Sequence, residues 1–193
     1  MKSKYHFLFI FLFFTNLLAT TINIPGDYAT IQEGIDAAQD GDVVLIAEGT
    51  YYENLTINKE ITLTSTADFN EIEGNEGWYN NTDIQNTIIN GSVNNNPNKR
   101  SCLIIRDGDI QPTIKGLTFE GGVGTSMNLI NDCTSQLPER SGGGILIYDA
   151  SPPINYNRFI NNALSSENER GRKAATTGGA IVNLEDHEAE FAE

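Results

Sequence analysis

Short apolar stretches alternate along this chain with turns rich in glycine and asparagine, and the apolar positions follow two different periods. Ile31, Ile35 and Ala38 recur at i, i+4 and i+7, the spacing of one helix face. Thr30 followed three residues later by Glu33 forms a capping box, so the pattern predicts a short amphipathic helix over residues 31–39, ended by Asp40, Gly41 and Asp42. A helix of that length is marginal alone and needs an apolar surface to cover. Downstream the period falls to two: Val43 to Ala47, Leu55 to Ile57, Ile61 to Thr64 and Thr87 to Ile89 read as strands. Ile61 and Leu63 alternate with Thr62 and Thr64, the half-buried pattern with apolar residues inward, and Gly49 and Asn58 supply corners.

The strands recur as a larger unit. GGGILIYDASPPINYNRFINN, residues 142–162, lies without a gap over LIIRDGDIQPTIKGLTFEGG when moved back by 40 positions. Ile145 then falls on Ile105, Asp149 on Asp109, Pro152 on Pro112, Ile154 on Ile114 and Phe159 on Phe119. Moved forward by 36, Gly142, Gly143 and Ile145 meet Gly178, Gly179 and Ile181. Such a period predicts a solenoid whose third coil runs from Cys102 to Gly122 and fourth from Gly142 to Asn162, with a fifth starting at Gly178. Strands one coil apart then pair in parallel at about 4.8 Å, and inward side chains stack into columns. An uncovered first coil exposes unpaired backbone groups, so the helix is expected to cap that end. Residues 66–86, 123–141 and 163–177 break the rhythm and are expected to leave the coils on one face.

The first break holds the lone tryptophan, Trp78, beside Tyr79. Such a pair either stacks on the apolar faces of sugar rings or folds back to anchor its loop. The last nine residues, EDHEAEFAE, carry five acids and no strand pattern, so residues 185–193 read as an acidic tail or as the truncation point of a longer solenoid.

Charge narrows the partners. The 193 residues hold 12 basic and 26 acidic side chains, a formal net charge of −14. That surface repels phosphate backbones and acidic headgroups, which argues against nucleic acid and anionic membrane and leaves cations, neutral glycans and basic proteins. Residues 1–21 read as a signal peptide: Lys2 and Lys4 precede the apolar run Phe7 to Phe14, and Ala19 to Thr21 are small. The expectation is an exported chain, secreted or at the cell surface, with no membrane insertion once the leader is gone; a retained N-terminal anchor is the alternative. Residues 22–184 then form the solenoid domain. Export permits a disulfide between Cys102 and Cys133, although Cys102 opens an apolar strand and reads equally well as a small buried hydrophobe.

Candidate chemistry is sparse, and neither catalytic nor substrate-binding residues are assigned from the sequence. Arg106, Asp107 and Asp109, with Asp149 one coil away, would set carboxylates and a guanidinium on one face; Ca²⁺ takes such oxygens, but Asp-Gly-Asp is also ordinary turn chemistry. The expectation is therefore no cofactor, with Ca²⁺ as the exception to test. His6 lies in the leader and His187 in the acidic tail, which leaves the coils without an imidazole for acid–base work or metal binding. The glycines at 121–122, 142–144 and 178–179 precede strands, so they read as corners where backbone passes close to backbone. Asn54, Asn80 and Asn90 open Asn-x-Ser/Thr sequons.

YATIQEGIDAAQDGDVVLIAEGTYYENLTI, followed by ITLTS and TIING, resembles the entry to right-handed parallel β-helix proteins of the pectin lyase-like superfamily. The GGGI and SPPI coils resemble repeats of bacterial secreted proteins of that type. The similarity covers nearly all of residues 22–184. It implies an all-β fold, a right-handed parallel β-helix of about four to five coils with a short N-terminal capping α-helix. Pectin methylesterases share this start, but their catalytic strands do not follow PTIKGLTFEGG here, which argues against esterase chemistry. In lyases of this fold a Ca²⁺ and a basic residue act together, a role for which Arg106 and Lys115 are the candidates. The scaffold carries enzymes and adhesins alike. The expected function is a module that binds, and in an enzyme would process, extracellular polysaccharide as a lyase or glycoside hydrolase; the alternative is a non-catalytic structural or adhesive solenoid.

Overall fold

A computed structural model describes residues 18–72, 77–92, 96, 98–129, 139–164, 176–177, 179–184 and 189–191. β1 (Thr21–Ile24) leads through α1 (Ile31–Ala37) to β2 (Val43–Ile46), β3 (Gly49–Tyr51) and β4 (Leu55–Ile57). β5 (Thr62–Ser65) is followed by α2 (Phe69–Ile72), a 3₁₀ turn (Trp78–Asn80), α3 (Thr82–Asn86), β6 (Thr87–Asn90) and β7 (Leu103–Ile105). Then come β8 (Thr113–Lys115), β9 (Thr118–Glu120), β10 (Thr125–Leu129), β11 (Glu139–Ser141) and β12 (Ile145–Tyr148). β13 (Ile154–Asn155), β14 (Arg158–Ile160), β15 (Thr176–Thr177), β16 (Ile181–Leu184) and β17 (Ala189–Phe191) complete the order.

Three sheets are parallel throughout: a first of order β1-β2-β5-β8-β13, a second of order β3-β6-β9-β14 and a third of order β4-β7-β12-β16. From β2 onward the chain visits them in rotation, an order compatible with a β-helix-like solenoid. Period-two strands in register put like positions over one another. Ile22, Val44, Leu63, Ile114 and Ile154 form one inward column, and Ile89, Phe119 and Phe159 another. The Phe119 and Phe159 rings stack with centroids 5.4 Å apart. These columns and those of the third sheet meet in a single apolar cluster. Each fully buried Ile, Leu or Phe in it contributes about 1.5–3 kcal/mol of transfer free energy.

At the N-terminal end β1 pairs directly with β2, and α1 lies between them in sequence. Thr30 caps the helix through the predicted box, with Ile31, Gly34 and Ile35 buried against the apolar cluster. Side chains of later residues hold both helix ends. The Glu53 carboxylate accepts from the Ile31 and Gln32 N–H groups, each at 3.0 Å. Lys59 Nζ donates to the carbonyls of Ile35, Asp36 and Ala38 at 2.7–3.0 Å. The Gln32 amide accepts from Thr56 N–H at 2.8 Å and donates to Thr56 C=O at 3.2 Å, so a side chain satisfies the outer edge of β4.

Four expectations change. In the third sheet Ile145 pairs with Leu103, and Ile147 with Ile105, two residues away from the 40-residue alignment. The turn from Arg106 to Asp109 is two residues longer than its counterpart at Tyr148 and Asp149, and Ile110 bridges to Ala150 back in the expected phase. The breaks do not leave on one face: residues 66–86 connect the first sheet to the second, whereas 123–141 and 163–177 connect the second to the third. Their strands assemble a fourth sheet of order β15-β11-β10-β17, in which β10 runs antiparallel to both neighbours. The C-terminal stretch read as patternless contains β17, whose Ala189–Phe191 pairs with Met127–Leu129. The rest of 185–193, the insertion cores and residues 1–17 of the expected leader lie outside the described residues.

Candidate functional site

The corner between the first and second sheets carries a built aromatic cluster. After β5 the chain leaves the coil, and Ala67, Ile72 and Ile84 form a small apolar cluster of their own. Asn81 caps α3 by accepting from Ile84 N–H at 3.1 Å. Two threonine hydroxyls fasten α3 to the second sheet: Thr87 donates to Asp83 C=O and Thr118 to Ile84 C=O, each at 2.7 Å. Gln85 Nε2 donates to Tyr79 C=O at 3.0 Å, which fixes the 3₁₀ turn against α3.

That scaffold sets four rings side by side. Trp78 meets Tyr156 edge-on with centroids 5.7 Å apart, and meets Tyr79 in the same manner at 6.3 Å. Phe69 lies 6.0 Å from Tyr156, and Lys115 Nζ stands 4.4 Å from the centre of the Phe69 ring, within cation–π range. Phe69 reaches this position because Gly116, at φ +69°, has no side chain: a Cβ there would sit 2.5 Å from Phe69 Cζ. Trp78 is half-buried, while Tyr79 remains 53% exposed. The excursion therefore folds back, as the anchoring reading of Trp78 expected, and still leaves aromatic surface in water.

The outward face of the second sheet adjoins this corner. Since Ile89, Phe119 and Phe159 point inward, their neighbours point out. Ile88, Thr118 and Arg158 line one outward column, and Asn90, Glu120 and Ile160 the next. α3 covers Thr118, and Arg158 follows one coil further on, two residues after Tyr156. Aromatic faces, an amide, a carboxylate and two cations thus border one surface, suited to stacking and hydrogen bonding with a polar ring compound.

The other candidates sit apart from it. Arg106 pairs with Asp107 at 3.3 Å in the turn after β7, where Asp107 and Gly108 both take positive φ. Asp149 takes positive φ in the corresponding turn, and its N–H donates to Leu184 C=O at 3.1 Å. Both aspartates occupy left-handed corners, a conformation Asp tolerates, and no group of three or more His, Cys, Asp or Glu that could hold a metal occurs among the described residues. Cys102 is a free, buried thiol whose pKa burial pushes up to about 11; Cys133 and His187 lie outside the described residues. The glycine corners are as expected: a Cβ on Gly122 would collide with Gly143 C=O in the next coil.

Sequence reasoning found Trp78 and Tyr79 and missed Phe69 and Tyr156. A signal for Tyr156 existed: it stands 40 positions after Gly116 at φ +58°, a bulky side chain where the preceding coil has glycine. Compared with protein-family models, with curated proteins and with solved structures, the chain matches none.

Proposed function

We propose that this chain is an exported right-handed parallel β-helix of the pectin lyase-like kind, that α1 caps its tube, and that it binds extracellular polysaccharide at the aromatic corner. The observation that carries the binding role is the Trp78–Tyr79–Tyr156 group, fastened by α3 yet with the Tyr79 ring still 53% exposed. Pyranose rings stack on such faces, and Asn90, Glu120 and Arg158 supply hydrogen bonds beside them. Lys115 and Arg158 locally offset a chain of net charge −14, so neutral glycans fit the whole molecule and acidic ones fit only this corner.

The test is affinity electrophoresis of the full chain in gels containing neutral glycans, pectate, alginate or glycosaminoglycans, with and without Ca²⁺. Retardation by at least one glycan, lost in Tyr79→Ala, is the expected result; free migration in all of them ends the binding reading. Ultraviolet absorbance from unsaturated uronates in the same mixtures tests for elimination. The second reading, a structural or adhesive solenoid, is favoured by the last coil, where Ile181 is 38% exposed although its counterpart Ile145 is fully buried. Self-association without glycan binding would select it.

A further inference from the structure

The N-terminal edge of the first sheet specifies where a leader must end. Thr20 is the first of the described residues with a hydrogen bond to the fold: its N–H donates to Asp42 Oδ1 at 2.7 Å and its C=O accepts from Val43 N–H at 2.8 Å. Leu18 is 82% exposed, and Ala19 is exposed as Thr20 is, so these two hydrogen bonds, and not burial, mark Thr20. Asp42 is a buried carboxylate, 7% exposed, whose Oδ2 accepts from Gln39 N–H at 2.8 Å. Those two N–H donors hold its carboxyl below the ordinary carboxylate range.

We infer that export processing hydrolyses the Ala19–Thr20 peptide bond, and that the new α-ammonium of Thr20 forms an ion pair with Asp42 at the start of the β-helix. Water adds across the bond: the Ala19 carbonyl carbon takes the water oxygen and leaves as a carboxylate, while the Thr20 nitrogen takes both protons and becomes the α-ammonium. The co-reactant class is a membrane-bound signal peptidase acting on the unfolded chain, for which the small Ala19 suits the position before the cut. A cut one residue later removes both Thr20 groups and strands Val43 N–H and one Asp42 oxygen. A cut one residue earlier keeps a neutral amide where a charge-assisted bond is available. Placing the cut here also keeps Thr21, which the expected leader of residues 1–21 would discard, within β1, where it pairs with Val43.

The inference rests on the export reading, not on glycan binding, and each fails on its own readout. The full chain is expressed in a bacterium with a signal peptidase, and the exported protein is analysed by N-terminal sequencing and intact mass. The expected sequence is Thr-Thr-Ile-Asn. A chain retained in the cytoplasm with its leader overturns export and this inference together; an exported chain with any other first residue overturns this inference alone. The ion pair is read by acetylating the Thr20 α-amine and following urea unfolding. Acetylation is expected to lower the midpoint of the wild-type chain and to leave that of Asp42→Asn unchanged, whereas equal shifts in both overturn the pair. Should Asp42→Asn not fold, the acetylation effect in wild type is expected to shrink between low and high salt, and a salt-independent effect overturns it.

Discussion

The two ends of the stacked parallel sheets use the same inward positions and treat them differently. At the first, Ile31 and Ile35 of α1 close the apolar cluster, Glu53 and Lys59 hold the helix ends, and the Gln32 amide satisfies the edge of β4. At the other, Ile181 repeats the register of Ile145 and Phe159 that of Phe119, yet both are partly in water. A coil buries its inward residues only when another layer lies over it. Where α1 joins the apolar cluster, Ile31 and Ile35 pack onto it and Gln32 satisfies backbone groups that a strand edge leaves open.

The largest effect that breaks this comparison is a cavity under the helix. Ile35→Ala removes a side chain 1% exposed between α1 and the coils and is expected to cost about 3 kcal/mol in urea unfolding, within the usual range of about 2–5. Ile181→Ala removes the same kind of side chain where it is 38% exposed and is expected to cost less than about 1 kcal/mol. Equal costs would mean that the C-terminal coil is covered in solution.

The side chains that fasten α1 come next. Lys59→Met keeps the apolar stem and removes three charge-assisted bonds to the last carbonyls of the helix, for an expected loss of about 2 kcal/mol. Glu53→Gln keeps one acceptor of two and is expected to cost about 1 kcal/mol. Amide exchange at Ile31 or Gln32 should quicken in Glu53→Gln before the strands respond, because one of those two N–H groups loses its acceptor and the other keeps only a neutral one.

None of these fastenings is legible in the sequence, because each joins residues 21 to 24 positions apart through side-chain to backbone bonds that leave no periodic trace. The helix itself was legible, since its capping box and its face are local. Inward columns were legible too, and the slip in the third sheet shows the limit of that reading. Leu103 and Ile105 both face inward, so alignments two residues apart put apolar on apolar equally well, and only the extra length of the Arg106–Asp109 turn decides between them. The aromatic corner was half legible. Trp78 and Tyr79 stand out by composition, but α2, the 3₁₀ turn and α3 are each five residues or fewer, too short for a period to show, and Tyr156 reaches them only through the winding.

Toward the C-terminal end the turns after β13 and β14 are tied back to the preceding strands by two asparagines. Asn157 accepts from Leu117 N–H at 2.9 Å and donates to Ile114 C=O at 2.8 Å. Asn162 does the same five residues on, accepting from Gly122 N–H and donating to Phe119 C=O, both at 2.9 Å. Each alanine replacement removes both bonds, takes the acceptor from the Leu117 or Gly122 N–H, and is expected to cost about 1–2 kcal/mol. The two losses should add in the double variant if each asparagine clips its own corner; a clear shortfall would show that the coil detaches as a unit after the first is lost.

The smallest effect compares the coils at one backbone position. The residue before each asparagine takes positive φ: Asn161 at +53° and Tyr156 at +58°, where the preceding coil has Gly121 at +71° and Gly116 at +69°. Asn161 is exposed, so its replacement tests the backbone with little change in packing. Asn161→Gly relieves the side-chain penalty of the left-handed region but loosens the unfolded chain, and the two terms should cancel to within about 0.5 kcal/mol. Asn161→Val puts a β-branched side chain into the same conformation and is expected to cost about 1–2 kcal/mol. If valine were as well tolerated as glycine in urea unfolding, the corner would have abandoned its left-handed turn. The corner that aims Asn162 at the coil above would then differ from its counterpart at Gly121.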